Sequence, residues 1–463
     1  MLPTKIVVVG AGSASFGLNT LAAIIRCEYL RGSVLSLVDR NPDSLALVAR
    51  LAERLNREWG ADLTITAHTH HRDALDGAQF VIVSIEVPPR EALWQMDYEI
   101  PLKYGVRQPY AENGGPGGFA HAARNIGPIM DIAQDMEHAC PDAWFINFTN
   151  PMVRICDAVA RHSQIKVVGL CHQIHMGYAM IGQVLARDLG FEPADDFLNT
   201  AASISQFPAQ SRMAHEAHKH IDLKAAGLNH FTWVLGIRGQ RAGEDLYPLF
   251  RERWAAYDPN FEPLTRRVFD AFGLFPVPGD EHLCEYLPWL SNPITKPWEK
   301  YSVDLYEWDL FARLRDFGLN EIAQMADGSA GIDRLREADS EGAVEMIESL
   351  TGAAEHYHLA VNIPNLHYIS NLPRGAIVEV PAHGSAAGIG GVEVGPLPEG
   401  IAELLRRETV VARLCVDAAV KGDRGAALQC LLLDPVIGDL DLAKQILDDY
   451  LNTYREHLPQ FFL

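Results

Sequence analysis

A glycine-rich turn lies between a buried strand pattern and a helical pattern at the start of the chain. The β-branched run Lys5–Val9 leads into Gly10-Ala11-Gly12-Ser13, and apolar residues with helical spacing follow over residues 16–26. A strand, a tight turn and a helix in this order form the first unit of a doubly wound parallel sheet. We therefore expect the N-terminal part of the chain to adopt this fold.

The same turn has the composition of a dinucleotide-binding site. The sequence reads G-x-G with a third glycine at Gly17, while Ser15 stands where the usual G-x-G-x-x-G pattern has its last glycine. Glycines at these positions let backbone N–H groups approach a pyrophosphate at the helix N-terminus. Asp39 ends the second predicted strand, where a carboxylate accepts both ribose hydroxyls and favours NAD over NADP. The predicted cofactor-binding residues in this region are Gly10, Gly12, Ser13, Phe16, Gly17 and Asp39.

Strand patterns alternate with helical patterns over the first 195 residues. Runs at 34–38, 80–84, 143–148 and 165–170 have the composition of buried strands, and helical patterns cover 41–59 and 127–139. The glycines at 114–118 predict a loop. The fold class that we predict is α/β: a Rossmann-type doubly wound parallel sheet, the NAD-binding domain, over residues 1–195. A second α+β domain over residues 196–463 is expected to bind substrate and metal and to form the oligomer surface.

Composition argues against several classes of partner. The 463 residues carry a formal net charge of −21 and no Lys/Arg run, so we expect neither nucleic acid nor an anionic membrane as a partner. No leader pattern is seen at the N-terminus, and no segment approaches the roughly 18 apolar residues of a membrane span, which predicts a cytoplasmic protein. The seven scattered cysteines favour reduced thiols over a disulfide framework.

Polar residues follow two of the predicted strands. Asn150 comes after the run at 143–148, and Cys171 and His172 come directly after the run at 165–170. Open α/β sheets bind ligands at the carboxyl ends of their strands, so we expect these side chains to face one crevice. Asn150 is expected to bond a substrate hydroxyl or the nicotinamide ribose. Local sequence alone leaves open whether Cys171, and His230 further along the chain, are core residues or ligands.

The order and spacing of several motifs resemble those of glycoside hydrolase family 4, the NAD- and divalent-metal-dependent glycosidases. The resemblance is strongest to the α-galactosidase and α-galacturonidase branch, and the NAD-dependent sulfoquinovosidases are similar in design. The motifs extend over almost the whole chain: the G-A-G-S opening, D-Y-E-I-P-L-K-Y-G (97–105), G-P-G-G (115–118) with Arg124, N-F-T-N-P-M (147–152), G-L-C-H (169–172), G-L-N-H-F (227–231), E-H-L-C-E-Y-L-P-W (281–289), N-L-P (371–373) and L-D-P (433–435).

The resemblance implies a specific mechanism. In this family bound NAD takes a hydride from C3 of the sugar, and the resulting ketone makes the C2 proton acidic enough for a side-chain base to remove. The aglycone then leaves from C1, water adds back, and the hydride returns to C3, so there is no net redox change. A divalent ion, Mn²⁺ or another, is held by one Cys and one His and polarises the ketone.

The resemblance also assigns roles to residues of this chain. Cys171 and His230 match the metal ligands, and His172 matches the acid that protonates the leaving oxygen. The base is Tyr286 or Asp280, two alternatives within the 280–289 segment. The residues expected to contact substrate are Arg90, Asp97, Glu112, Asn150, Asn229 and His282.

The identity of the sugar is left open at this point. The substrate is expected to be an α-galactoside, an α-galacturonide or a related hexoside. A sulfoquinovoside is an alternative that would need cations such as Arg90, Arg124 or Arg154. A simple NAD-dependent hydroxy-acid or polyol dehydrogenase, or a non-catalytic nucleotide sensor, would share the same nucleotide turn. The resemblance further implies a homodimer or homotetramer.

Overall fold

The protein is described by a computed structural model over residues 3–13, 17–108, 110–195, 197, 207–290, 294–301, 303 and 308–463. In these ranges the strands are β1 (Lys5–Val9), β2 (Val34–Val38), β3 (Thr64–His68), β4 (Phe80–Val83), β5 (Trp144–Asn147), β6 (Lys166–Gly169), β7 (Ile221–Leu228), β8 (Phe231–Gly239), β9 (Phe275–Pro276), β10 (His356–Pro364), β11 (Ile377–Ser385) and β12 (Gly388–Gly391). The α-helices are α1 (Gly17–Arg26), α2 (Pro42–Trp59), α3 (Arg72–Leu75), α4 (Arg90–Leu102), α5 (Gly115–Ala139), α6 (Met152–His162), α7 (Gln173–Leu189), α8 (Phe207–His218), α9 (Tyr247–Ala256), α10 (Pro263–Phe272), α11 (Gly279–Tyr286), α12 (Pro297–Tyr301), α13 (Trp308–Asp327), α14 (Ala343–Thr351), α15 (Glu399–Lys421), α16 (Arg424–Leu433) and α17 (Leu440–Thr453).

Six parallel strands form the N-terminal part of the sheet in the order β3-β2-β1-β4-β5-β6. The chain reverses direction across the sheet between β1 and β4, and ligands of doubly wound folds bind at such a switch point. The predicted strands at 34–38, 80–84, 143–148 and 165–170 are present with ends within one residue. The predicted Rossmann-type sheet is therefore confirmed.

The sheet continues past β6 with strands from the C-terminal half of the chain. β10 pairs antiparallel with β6, and β11, β7, β8 and β9 follow in that order, with β12 beside β11. The two halves of the chain therefore share one sheet, and β10 and β11 lie between β6 and β7 although they come later in the sequence. The predicted domain boundary between residues 195 and 196 stays a prediction.

Both faces of the parallel strands other than β3 are largely buried, which explains their mostly apolar composition. Ile6 and Val8 of β1 belong to one buried cluster with residues of α1 and α2. Val7 and Val9 point to the opposite face and belong to a second cluster with residues of α5 and α15. Burial of each such side chain contributes roughly 1.5–3 kcal/mol, so these helices hold the carboxyl ends of the strands firmly in place.

The prediction of a loop at 114–118 is wrong, because α5 begins at Gly115. A Cβ on Gly117 would lie 2.5 Å from the Cβ of Ala111, and one on Gly118 would lie 2.6 Å from the backbone carbon of Asn113. The glycines thus let the first turn of α5 pack directly on the 111–113 segment. This tertiary contact outweighs the low helix propensity of glycine.

The seven cysteines are free thiols. None of the helices in the described part of the chain is long and apolar enough to span a lipid bilayer.

Candidate active site

The glycine turn meets the end of β2 at Asp39. The Gly12 N–H donates to Asp39 Oδ2 at 2.8 Å, and the Asn41 N–H donates to Oδ1 at 2.8 Å. A Cβ on Gly12 would lie 2.7 Å from Asp39 Oδ2, so the approach of the turn to this carboxylate requires glycine. Asp39 is partly exposed, and α1 begins at Gly17, shortly after the turn in the sequence. A glycine turn, a carboxylate at the end of β2 and a helix N-terminus are the features that dinucleotide sites use.

Ser13, also predicted to bind the cofactor, belongs to the same turn. The Ser13 N–H donates to the Gly10 carbonyl at 3.2 Å, which closes the turn. Phe16 lies outside the described residues.

The thiol of Cys171 and the imidazole of His230 are in contact. Cys171 follows β6 and His230 lies in the two-residue turn between β7 and β8, and Cys171 Sγ is 3.5 Å from His230 Nε2. Two ligands of one ion at about 2.3 Å (sulfur) and about 2.1 Å (nitrogen) are about 3.5 Å apart at a bond angle near 105°. This geometry therefore fits one shared divalent cation.

The backbone of His230 is in a conformation that is unusual for a residue with a side chain. Its φ is 61°, in the left-handed region. Such a conformation costs of order 1 kcal/mol or more and is found mainly where the surrounding structure enforces it, often at functional sites.

Glu112 and His282 lie on the other side of the His230 ring. His230 Nδ1 is 3.9 Å from Glu112 Oε2, and the His282 ring stacks on the His230 ring with centroids 4.1 Å apart. Ligand atoms of Glu112, His230 and His282 all lie within 4.8 Å of one another. Groups that can bind a cation thus lie on both sides of the His230 ring. The Cys171 thiol is on one side, and Glu112 and His282 are on the other.

Asn150 joins this group through its side chain. Its Nδ2 donates to Glu112 Oε1 at 3.2 Å. Within the described residues, the buried atoms Asn150 Oδ1, Asn229 Oδ1 and His230 Nδ1 have no hydrogen-bond partner. Buried polar atoms are normally satisfied, so these three are available to a ligand.

Glu285, which the sequence did not single out as a site residue, holds Glu112 and His282 in place. Its fully buried Oε1 accepts from the backbone N–H of Glu112 at 2.8 Å and of Asn113 at 2.7 Å. Its Oε2 lies 2.9 Å from His282 Nδ1, one turn earlier on α11. The i, i+3 spacing of His282 and Glu285 was the only local signal for this pairing.

His172 lies beside Cys171 and pairs with a residue that was also missed. His172 Nδ1 is 3.3 Å from Glu341 Oε2. The Glu341 carboxylate raises the pKa of His172, so the imidazolium form is favoured. A protonated imidazole can donate a proton to a leaving oxygen.

The structure places the two candidate bases in different surroundings. Tyr286 stacks on Phe231, the residue after His230, with ring centroids 4.7 Å apart, and burial raises the pKa of its hydroxyl. Asp280 accepts from the backbone N–H groups of Leu264 (2.9 Å) and Thr265 (2.6 Å) at the start of α10. Both Asp280 oxygens are thus engaged in capping a helix, whereas Tyr286 adjoins the metal-compatible residues. The assignment of the base stays a prediction.

Asp97 is held by Arg124 and Tyr454. It is fully buried, and its two oxygens accept from Arg124 at 2.5 and 2.6 Å, with the Tyr454 hydroxyl donating at 2.7 Å. This geometry gives Asp97 a structural role that ties α4 to α5 and to the C-terminal region. Its predicted contact with substrate stays a prediction, and the function proposed below does not use it.

Arg90 lies near a further unpredicted carboxylate. Its guanidinium carbon is 5.1 Å from the Trp94 ring centroid. Glu86 contacts His121 Nε2 at 3.1 Å and accepts from Asn125 Nδ2 at 3.0 Å. Burial opposes ionisation of Glu86, but His121 and Arg90 outweigh it and lower its pKa to about 2. Glu86 is therefore an ionised hydrogen-bond acceptor near the site.

The fold and this group of residues define an enzyme with a dinucleotide cradle and a metal-compatible Cys/His pair at one edge of its sheet. The model of the family 4 glycosyl hydrolases matches residues 5–187, and that of the family 4 glycosyl hydrolase C-terminal domain matches residues 225–437. The chain belongs to glycoside hydrolase family 4. The predicted family and the predicted class of enzyme, a glycosidase, are confirmed.

Relatives in this family act on different sugars. The chain is 31% identical to an α-glucosidase of Erwinia rhapontici, over 96% of this chain and 97% of the relative. It is 30% identical to an α-galactosidase of Bacillus subtilis (strain 168), over 99% of both. Its fold matches that of the 6-phospho-β-glucosidase of Thermotoga maritima, solved with manganese, NAD⁺ and glucose-6-phosphate, with a TM-score of 0.77 at 21% identity over 98% of this chain and 99% of that one. Family membership alone therefore does not define the sugar.

Proposed function

We propose that this chain hydrolyses α-glycosides of neutral hexoses such as galactose, with NAD and a divalent cation, Mn²⁺, as cofactors. The observation that carries the proposal is the 3.5 Å contact between Cys171 Sγ and His230 Nε2. It lies at the carboxyl edge of a nucleotide-binding sheet, next to Glu112 and Asn150. A dehydrogenase that works without a metal would need the turn beside Asp39 but not this thiol–imidazole pair.

The residues present fit both cofactors. Gly10, Gly12, Ser13, Gly17 and Asp39 would hold NAD, and Cys171 and His230 would hold the cation. When bound, NAD would exchange a hydride with C3 of the sugar and the cation would polarise the oxygen there. Burial raises the pKa of the Cys171 thiol, so binding of a cation must displace the thiol proton.

The remaining residues have separate tasks in this proposal. His172, whose pKa is raised by the Glu341 carboxylate, donates a proton to the leaving oxygen. Tyr286 removes the proton from C2 as the tyrosinate, so its hydroxyl, whose pKa burial raises, must first lose its own proton. Glu112, Asn150 and His282 bind sugar hydroxyls, and Glu285 fixes the positions of Glu112 and His282.

The surroundings of three arginines favour a neutral group at C6 of the sugar. Arg124 is engaged by Asp97, and the buried Arg154 is engaged by Glu408 at 3.4 Å. Of the three candidate anion partners only Arg90 is left, and Glu86 lies close enough to offset its charge. A galacturonide or sulfoquinovoside would depend on Arg90 alone from this set, whose buried Nε has no hydrogen-bond partner among the described residues but whose charge is offset by Glu86.

Hydrolysis of a panel of aryl α-glycosides tests the proposal. The galactoside, glucoside, galacturonide and sulfoquinovoside are each incubated with NAD and Mn²⁺ present or omitted. We expect release of the aglycone from a neutral hexoside only when both cofactors are present, and no accumulation of NADH. Accumulation of NADH without aglycone release would identify a dehydrogenase, and faster cleavage of an anionic sugar would reject the neutral C6 group.

The assembly of the protein is a prediction from the family resemblance, and its location is a prediction from the sequence. We infer a homodimer or homotetramer, which light scattering after size-exclusion chromatography measures directly. A cytoplasmic location stays a prediction.

A further inference from the structure

Four residues in one row of the sheet connect the strands that carry Cys171 and His230. In this row Gly169 of β6 pairs with Asn362 of β10, Asn362 with Glu379 of β11, and Glu379 with Gly227 of β7. Gly169 lies two residues before Cys171, and Gly227 lies three residues before His230. Asn362 and Glu379 thus lie on β10 and β11, the two strands between β6, which precedes Cys171, and β7, which precedes His230.

Glu379 contacts both ends of this row through hydrogen bonds. Its Oε2 accepts from Asn229 Nδ2 at 2.6 Å and from Asn362 Nδ2 at 3.1 Å. Its Oε1 lies 2.7 Å from the Thr232 hydroxyl. Asn229 and Thr232 flank the turn that contains His230, and Asn362 Nδ2 also lies 3.4 Å from the Gly169 carbonyl. One carboxylate therefore links the strand before Cys171 to the turn of His230.

The partners of Glu379 are all uncharged. Its side chain is buried, with 1% of the residue exposed. Its hydrogen bonds come from two amides and one hydroxyl, and in the described part of the chain it forms no ion pair with Lys, Arg or His. A buried carboxylate is costly unless an opposite charge or a metal ion lies nearby. The adjacent Cys171–His230 pair is where such a cation would bind.

We propose that Glu379 is a positioning residue for the Cys171–His230 metal site, and that its buried negative charge is balanced by the cation bound there. The inference rests on the proposed function, in which Cys171 and His230 hold the divalent ion. Glu379 orients the Asn229–Thr232 turn through hydrogen bonds, and it adds attraction for the cation through its charge. Such outer-shell groups typically affect metal affinity by about 10- to 100-fold.

The Glu379→Gln variant removes the charge and keeps the shape. The Thr232 hydroxyl lies 2.8 Å from the Leu228 carbonyl, so it can donate there and accept from the new amide N–H. The other amide atom, the oxygen, still accepts from Asn229 and Asn362. Thr232→Val is the matched control, because it removes one hydrogen bond to Glu379 and leaves the charge.

The experiment titrates Mn²⁺ into the metal-free full-length protein, saturated with NAD, by isothermal titration calorimetry. We expect Glu379→Gln to raise the Kd for Mn²⁺ by about 10- to 100-fold, and Thr232→Val to raise it by less than about threefold. Glu379→Asp, which keeps the charge, is expected to bind Mn²⁺ more tightly than Glu379→Gln. Without metal, Glu379→Gln should unfold at or above the wild-type temperature, because an unbalanced buried charge is gone.

Several results would overturn this inference. A Kd within about threefold of wild type for Glu379→Gln would do so, and so would an Asp variant that binds no better than the Gln variant. A lower melting temperature of the metal-free Gln variant with unchanged Mn²⁺ affinity would assign Glu379 a purely structural role. The Cys171→Ser variant distinguishes failure of the metal site from failure of the role of Glu379. If Cys171→Ser binds Mn²⁺ with wild-type affinity, the proposed metal site is rejected. If Cys171→Ser loses affinity for Mn²⁺ while Glu379→Gln does not, only the role of Glu379 is rejected.

Discussion

Replacement of Glu285 by Ala is expected to destabilise the protein and to disorganise the candidate site together. The carboxylate is fully buried and accepts from the backbone N–H groups of Glu112 and Asn113 at 2.8 and 2.7 Å. A buried donor that loses its acceptor costs about 1–3 kcal/mol, so these two groups alone predict a loss of about 2–6 kcal/mol. His282 also loses its partner at 2.9 Å.

The matched control is Glu285→Gln. Its amide oxygen can still accept from the two backbone groups, but the bonds are no longer charge-assisted, so we expect a smaller loss of about 1–2 kcal/mol. Urea unfolding followed by tryptophan fluorescence measures the free energy of unfolding of both variants. Binding of an unreacted sugar shows whether Glu112 and His282 are still correctly placed in the folded protein. A loss below about 1 kcal/mol for Glu285→Ala would refute the reasoning, because two orphaned N–H groups cannot cost so little.

Three further predictions address single residues. Asp97→Asn breaks the buried pair with Arg124 and is expected to cost about 3–5 kcal/mol in urea unfolding; lost activity at unchanged stability would instead support contact with substrate. Glu86, with its pKa lowered from 4.5 to about 2 mainly by His121 against the effect of burial, contributes stability that is present above pH 4.5 and lost as the pH falls toward 2. The difference in unfolding free energy between wild type and Glu86→Gln should therefore shrink from about pH 5 to about pH 3, and a pH-independent difference would contradict the pairing. Asp39→Ala is expected to weaken NAD binding by about 10- to 100-fold in a fluorescence titration, since hydrogen bonds to a charged group contribute about 1.5–3 kcal/mol, and unchanged affinity would exclude Asp39 from the cofactor site.

Local sequence was sufficient for the elements that hold the cofactor cradle. Buried parallel strands have nearly continuous apolar sequences, so their ends could be predicted to within one residue. The start of α2 was equally clear, because Asn41 accepts from the backbone N–H of Asp43 and Ser44, as expected of a capping residue before a proline.

The missed residues of the site all depend on contacts between distant segments. Glu379 bonds a residue 150 positions away, Glu341 one 169 positions away and Glu285 one 173 positions away. No local pattern indicates that β10 and β11 lie between β6 and β7, which is what brings Glu379 to the turn of His230. Cys171 and His230 could be paired beforehand only through the family resemblance.

The hydrogen-bond partners of two carboxylates could not be predicted from residue type alone. Asp97 and Asp280 are carboxylates in motifs that resemble those of the family, yet one is held by Arg124 and the other by the first backbone N–H groups of α10. Such roles depend on which donors surround a side chain after folding, and composition and spacing carry no information on that.

The measurement that tests the central claim most directly is deuterium incorporation at C2 of the released sugar. The wild-type enzyme and the Cys171→Ser variant are each incubated in deuterated water with NAD, Mn²⁺ and the best aryl α-glycoside of the panel. The sugar that each releases is examined by NMR. Hydrolysis by oxidation, elimination and water addition predicts deuterium at C2 in the wild-type product and loss of both turnover and exchange in the variant. Release of the sugar with hydrogen retained at C2 would contradict the account, because it would mean that the glycosidic bond breaks without removal of the C2 proton.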